Sequence, residues 1–140
     1  MLDAGKAAPK VIIRDLFATP IVVCEWPQTE RLNAELRKAI MARYESLPGL
    51  VSSNRKGWHS KFDMHRWPEP CVAELMDMVR ATASSMSAHL VGEADKKYLD
   101  NWQIKSCWSN VNPPGGYNQP HNHIAGNTLL SGFYYVDLGG

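Results

Sequence analysis

The chain has 140 residues, a mass of 15.7 kDa and a formal net charge of +1. A domain of this length buries roughly two-thirds of the surface that its extended chain exposes. Hydrophobic residues make up 44% and charged residues 21%, which is a globular composition and excludes an intrinsically disordered chain. The near-neutral charge argues against a nucleic-acid binder. We therefore expect a single domain over residues 1–140.

Cysteine content and hydropathy indicate the compartment. The three cysteines, Cys24, Cys71 and Cys107, are odd in number and form no CxxC pair. This pattern argues against a disulfide framework or a zinc ribbon and favours a reducing compartment. No apolar stretch approaches the ~20 residues of a membrane span. The first ten residues also lack the apolar centre of a signal peptide, so the sequence predicts a cytoplasmic protein without membrane association.

The first hundred residues read mainly as helical. Residues 11–26 are β-branched and apolar and predict two short strands, interrupted at Thr19-Pro20. Apolar residues that recur every three or four positions predict helices over 29–45 and 69–91. Between the helices, residues 50–68 have no clean period, which indicates a long irregular segment.

The last forty residues read as β-structure, because only Lys105 and Asp137 of the 29 charged residues lie there. Strands are predicted over 98–111 and 128–138, with alternate side chains on opposite faces. Trp102 and Trp108 fall on one face of the first strand, where buried core positions are the usual role of tryptophan. The segment NPPGGYN between the strands predicts a loop.

The pair His121 and His123 is the sharpest chemical feature of the sequence. In extended backbone, residues two apart point to the same side with side chains about 6–7 Å apart. Two imidazoles in that position can bind one metal ion, and imidazole suits iron, zinc, copper and nickel. An Fe(II) oxygenase requires two histidines and one carboxylate, yet Asp137 is the first carboxylate after the pair.

The His pair also belongs to a longer pattern. It reads Trp108-x-Asn-x-Asn-x-Pro-Gly-x-Tyr-Asn-x-x-His-x-His, followed by Ser-Gly-Phe-Tyr-Tyr-Val from residue 131. Together with SNRKGWHS from residue 53 and LFATP from residue 16, it resembles a family of 2-oxoglutarate- and Fe(II)-dependent oxygenases found mainly in bacteria and phages. The resemblance covers residues 14 to 138.

The resemblance implies an α+β fold with a double-stranded β-helix, or jelly-roll, core and two packed helices. It implies Fe(II) and 2-oxoglutarate as cofactors, ascorbate as a reductant, and hydroxylation of a small-molecule or protein substrate. His121 matches the first metal ligand. His123 stands where the family pattern has a carboxylate, which leaves the identity of the third ligand open.

Other site residues follow from the same resemblance. Tyr135 matches a tyrosine that hydrogen-bonds the cosubstrate, and Asn110 and Asn112 match cosubstrate contacts on the preceding strand. Apart from the resemblance, His59 and Trp58 in the irregular segment are candidate substrate contacts, and a hydrogen bond to the backbone is the other interpretation of His59. The distal histidine and the basic residue that anchors 2-oxoglutarate would follow Gly140. The resemblance thus predicts that the chain is the N-terminal part, about two-thirds, of a longer domain.

Two other classes of function stay open. Gly115-x5-His121-x-His123 fits the start of a cupin metal site, but Asn127 and Thr128 stand where its glutamate is expected. A jelly-roll interaction module without a working site is the other alternative. An unfinished sheet would expose an edge that favours pairing into a homodimer.

Overall fold

Two long helices and four short strands make up the regular structure. The computed structural model describes residues 21–91, 103–123 and 128–139, and of residues 87–91 the backbone alone. The elements in chain order are α1 (Glu30–Ser46), β1 (Asn54–Arg55), β2 (Trp58–His59), a 3-10 turn (Met64–Arg66), α2 (Pro70–Val91), β3 (Asn110–Val111) and β4 (Tyr117–Asn118). The architecture is α+β, as the sequence predicts.

The helices begin and end close to the predicted positions. Thr29 precedes α1, and its backbone carbonyl accepts a hydrogen bond from the amide of Asn33 at 2.8 Å. Pro70 opens α2 at a position where the missing N–H has no helical partner to lose. The helix predictions over 29–45 and 69–91 are confirmed to within a residue.

The core lies between the two helices and the segment that follows α1. Its apolar side chains are each at most 8% exposed, and burying one of the larger of them contributes about 1.5–3 kcal/mol. They are Leu32, Leu36, Ala39, Ile40, Trp58, Met64, Cys71, Val72, Leu75 and Met76. The three- and four-residue spacing that predicts both helices therefore also identifies their buried faces.

The strands form two separate antiparallel pairs. β1 pairs with β4 through Asn54–Asn118, and β2 pairs with β3 through His59–Asn110. The amide of Ser60 donates to the carbonyl of Ser109 at 3.0 Å, which extends the second pair. These bonds place the segment after α1 along the 107–119 segment, so residues far apart in sequence meet at one site.

The larger β-structure of the prediction is not confirmed. Within the described residues the strands form two-stranded sheets and no closed barrel. Residues 11–20 and 98–102 lie outside the described part. Residues 21–26 contain no strand, and 103–111 contains only β3 and a single bridge at Cys107. The pattern of alternating side chains is present, but a ladder also requires a partner strand at hydrogen-bonding distance.

The strand predicted over residues 128–138 is not formed. The predicted alternation of side chains between two faces is nevertheless present. None of these residues belongs to a ladder. Tyr134 nevertheless packs against Trp26 with ring centres 5.2 Å apart, and its hydroxyl donates to Asn33 Oδ1 at 2.5 Å. Phe133 and Tyr135 on the opposite face are 76% and 71% exposed. The segment is extended and is held by side-chain contacts to the region around α1.

Arg43 joins α1 to the residues just before α2, and its removal should lower stability. Its guanidinium donates to both carboxylate oxygens of Glu69, at 2.7 and 3.0 Å, and lies 3.8 Å from the ring centre of Trp67. The two charged side chains are only 20% and 31% exposed, so solvent screens the pair incompletely. We expect Arg43→Met to lower the free energy of unfolding by about 1–2 kcal/mol, measured by urea titration.

Arg80→Met is the matched control, because the Arg80–Asp77 pair is 51% and 79% exposed and should contribute at most about 0.5 kcal/mol. Arg43 also lowers the pKa of Glu69. The resulting stability is present above the pKa of the unfolded carboxyl and is lost as pH falls through the lower pKa of the folded state. Equal losses in the two variants, or an unchanged acid profile in Arg43→Met, would contradict this assignment.

Candidate metal centre and adjoining cleft

The two histidines predicted to bind a metal lie side by side. The ring centres of His121 and His123 are 4.7 Å apart with an angle of 64° between the planes. A metal–nitrogen bond of about 2.1 Å puts each ring centre about 3.2 Å from the ion, so two ligands at a right angle have ring centres about 4.6 Å apart. The observed spacing fits two adjacent ligands of one ion.

A hydrogen bond fixes the tautomer of His121. Its Nδ1 lies 2.8 Å from the backbone carbonyl of Gln119. A carbonyl oxygen only accepts, so the neutral ring must carry its proton on Nδ1. The lone pair is then on Nε2, and the His121 side chain is exposed. Donation from the second ring nitrogen to a backbone carbonyl is the usual support of a metal-binding histidine.

Trp108 packs against His123, the second histidine of the pair. Its ring is stacked on His123, with centres 5.4 Å apart and planes 21° apart. The opposite neighbour is His59, stacked at 5.5 Å and 13°. Phe62 meets both Trp108 and His59 edge-on, at 5.3 and 5.0 Å. A continuous ring cluster therefore connects the buried strand β2 to the candidate metal ligands.

The two candidate substrate contacts are both buried. His59 is 2% exposed, and its Nδ1 donates to the carbonyl of Ser60 at 2.5 Å. Trp58 is 8% exposed, and its indole N–H donates to the carbonyl of Leu47 at 3.1 Å. Because successive side chains of a strand point to opposite sides, His59 belongs to the ring cluster, whereas Trp58 packs in the core and contacts Tyr44.

A cleft of about 280 Å³ opens beside His121. Its walls come from the 108–121 segment, from the residue before β1 and from the 128–139 segment. The lining residues are Ser53, Trp108, Asn110, Asn118, Gln119, Pro120, His121 and Phe133. The cleft is thus open to solvent next to the candidate metal ligand, and it is large enough for a small molecule or a single side chain.

The three predicted cosubstrate contacts occupy different places. Asn110 lines the cleft. Asn112 lies against Gly57, where an added Cβ atom would overlap Asn112 Oδ1 and force the Asn112 side chain to shift. Tyr135 is 71% exposed on the outer face of residues 128–139 and is not part of the cleft lining. The structure therefore brings Asn110, but neither of the other two, into the cleft beside His121.

Two residues of this region were not identified from the sequence. Trp108 was expected in the core but is half-buried in the ring cluster and the cleft wall. Asn118 also lines the cleft, and its Oδ1 is buried without a hydrogen-bond partner, although the sequence marks no role for it. The place of Trp108 in the cleft wall could have been predicted, because strand alternation puts it on the same face as Asn110. The place of Asn118 depends on pairing with Asn54, for which the sequence holds no signal.

No third metal ligand accompanies the pair in the described part of the chain, where no group of three His, Cys, Asp or Glu residues is placed to hold an ion. Cys107 adjoins Trp108, but burial raises the pKa of its thiol to about 11. It is therefore a poor ligand at neutral pH, since metals bind the thiolate. The residues present fit a metal held by two histidines, with the remaining positions open.

Comparison with known proteins gives no relatives: no family model, curated protein or solved structure matches this chain. Of the helices in the described residues, none combines the length and the apolarity needed to cross a membrane.

Proposed function

We propose that the chain binds Fe(II) through His121 and His123 as the metal-binding part of a 2-oxoglutarate-dependent oxygenase. One observation carries the metal site: the rings lie 4.7 Å apart, and the backbone hydrogen bond of His121 leaves its Nε2 available to an ion. The identification of the ion and its cosubstrate rests on the sequence resemblance. The free, unpaired state of Cys24, Cys71 and Cys107 supports a reducing, cytoplasmic location.

When bound, iron and 2-oxoglutarate would supply the oxidation, with ascorbate keeping the iron reduced. The protein residues would hold the ion, orient its ligands and shield them from solvent. His121 and His123 would hold the ion, and Trp108, stacked on His123, limits the rotation of that ring and covers one of its faces. His59 acts through Trp108, because a side chain that is 2% exposed does not meet a ligand in the cleft.

The cosubstrate has polar partners but no cationic anchor in the described lining of the cleft. Asn110 can donate a hydrogen bond to a carboxylate there. Asn112 and Tyr135 would reach a cosubstrate only by extending past the cleft wall, so we assign them a weaker role. The distal carboxylate of 2-oxoglutarate is left without an assigned residue.

Metal binding and turnover test the proposal separately. Calorimetric titration of the metal-free chain with Fe(II) under nitrogen should show one site per chain. In a protein that also supplies the third ligand and the 2-oxoglutarate anchor, incubation with Fe(II), 2-oxoglutarate, ascorbate and O₂ should then yield succinate above the level of a metal-free control. Absence of metal binding would reject the site. Metal binding without succinate or 2-oxoglutarate binding would instead favour a cupin-like metal protein.

A second candidate function is a non-catalytic interaction module, a domain of the same fold without a working metal site. The row of exposed apolar side chains on the outer face of residues 128–139 favours it, because such rows mark protein contacts. The row consists of Leu129, Phe133 and Tyr135. The simplest form of such a module is a homodimer, which sedimentation of the metal-free chain over a 100-fold dilution series tests. A chain that stays monomeric throughout the series would argue against it.

A further inference from the structure

A second cleft, of about 300 Å³, lies on the other side of β2 from the ring cluster. Trp58 lines this second cleft, whereas the next residue, His59, stacks on Trp108. Successive side chains of a strand point to opposite sides, so the ring cluster and the second cleft lie on opposite sides of β2. The second cleft also shares no lining residue with the cleft beside His121.

The walls of the second cleft are apolar and accessible to a ligand. Tyr44 is exposed and meets Trp58 edge-on, with ring centres 5.9 Å apart. Val51 is 94% exposed, and Leu50 beside it is half-buried. A Cβ atom at Gly49 would lie 2.6 Å from Trp58 Cδ1, so glycine is what lets the chain pass close to the indole ring. A flat apolar group that enters the second cleft therefore removes exposed apolar surface from water.

Lys56 contributes the one charged side chain of the described lining. Its ammonium group forms no ion pair with a carboxylate of the described residues. Arg55, just before it, donates to the backbone carbonyls of Ser52 and Asn54 and is likewise without a carboxylate partner in that part of the chain. Glu45, in the last turn of α1, does not line the second cleft. The rim thus has a positive charge without a counter-charge, which favours an anionic ligand group.

The backbone at Lys56 is strained. Its φ of 59° lies in the left-handed region, which is unfavourable for a lysine. Glycine adopts this conformation without the cost. Strained residues other than glycine cluster at ligand-binding and active sites. At this position the residue that carries the strain also carries the charge of the second cleft.

We propose that the second cleft binds a free aromatic monocarboxylate, with Lys56 pairing with the carboxylate and Tyr44, Val51 and the accessible edge of Trp58 contacting the ring. The volume of about 300 Å³ suits a single ring with a short acid side chain rather than a longer segment of polypeptide. This site is separate from the histidine pair, and binding there requires no metal.

Three small probes test the inference on the full chain: phenylacetate, the neutral phenylacetamide, and acetate, which lacks the ring. Two-dimensional NMR titration in EDTA gives their dissociation constants. Phenylacetate should bind about threefold more tightly than phenylacetamide, because an exposed ion pair contributes modestly. It should bind at least about tenfold more tightly than acetate, which buries no ring. Equal binding of phenylacetate and phenylacetamide, or shifts centred on His121 instead of Val51 and Gly57, overturns the inference.

Lys56→Asn removes the charge, and asparagine tolerates the left-handed φ. This variant should abolish the preference for phenylacetate over phenylacetamide. Lys61→Asn, which replaces an exposed lysine outside the lining, should retain the preference. Val51→Ser should weaken both ring-containing probes equally, by about threefold, because it removes apolar wall. A preference that survives in Lys56→Asn overturns the inference. Tighter binding of N-acetyl-glycyl-phenylalanine than of phenylacetate also overturns it, in favour of a peptide C-terminus.

Discussion

Replacing His121 with alanine is expected to lower the affinity of the chain for Co(II), a spectroscopic substitute for Fe(II), by at least about 100-fold. Two imidazoles are the only ligands identified, so removal of one leaves a single protein donor. Loss of a hydrogen bond that merely supports a ligand already costs about 10–100-fold in metal affinity. His121 is exposed, and its side-chain hydrogen bond runs to the carbonyl of Gln119 two residues away, so the fold should persist. Visible absorption of bound Co(II) gives the affinity, and circular dichroism checks the fold.

Asn122→Ala is the matched control for this variant. Asn122 lies between the two histidines, is exposed, and would point away from an ion held by its neighbours in extended backbone. Its replacement should leave Co(II) affinity within about twofold. His123→Ala should reproduce the loss seen in His121→Ala. Co(II) binding that survives both histidine replacements would place any metal site elsewhere in the chain.

The helical part of the molecule was predictable from the sequence because its information is local. Leu32, Leu36 and Ile40 recur at four-residue spacing, and all three are at most 8% exposed. A helix satisfies its own backbone hydrogen bonds, so periodicity and end signals suffice to locate it. The pairing of His121 with His123 was predictable for the same reason, since two residues of separation fix their relation in extended chain.

The remainder of the site depends on contacts between distant residues. The amide of Ser109 donates to Ser60 Oγ at 3.0 Å across 49 positions, and this pairing sets His59 against Trp108. The sequence predicts which residues share a face of a strand, but not which strand will pair with it or in what register. The barrel expectation was not confirmed, and the position of Asn118 in the lining of the cleft beside His121 was not predicted, for this reason. Each depends on a partner strand.

Trp108 is expected to combine a stability role with a metal-binding role, and Trp108→Ala should show both. The variant loses ring contacts to His59, Phe62 and His123, each worth about 0.5–1.5 kcal/mol beyond burial. We expect the free energy of unfolding to fall by about 2–4 kcal/mol. Freed from the stacked ring, His123 gains rotational freedom that metal binding must remove, so Co(II) affinity should fall by about tenfold.

Trp67→Ala separates these two effects, because Trp67 lies under Arg43 and has no ring contact with either metal-binding histidine among the described residues. It should lose stability without losing Co(II) affinity, measured below the unfolding transition. Trp108→Phe retains an aromatic face for His123 and should recover most of the affinity but only part of the stability. If Trp108→Ala binds Co(II) as tightly as the parent chain, the Trp108 ring contributes to fold stability and not to metal binding. The two histidines would then need no help from β2 to hold the ion, and the ring cluster would be a structural feature of the strand pair.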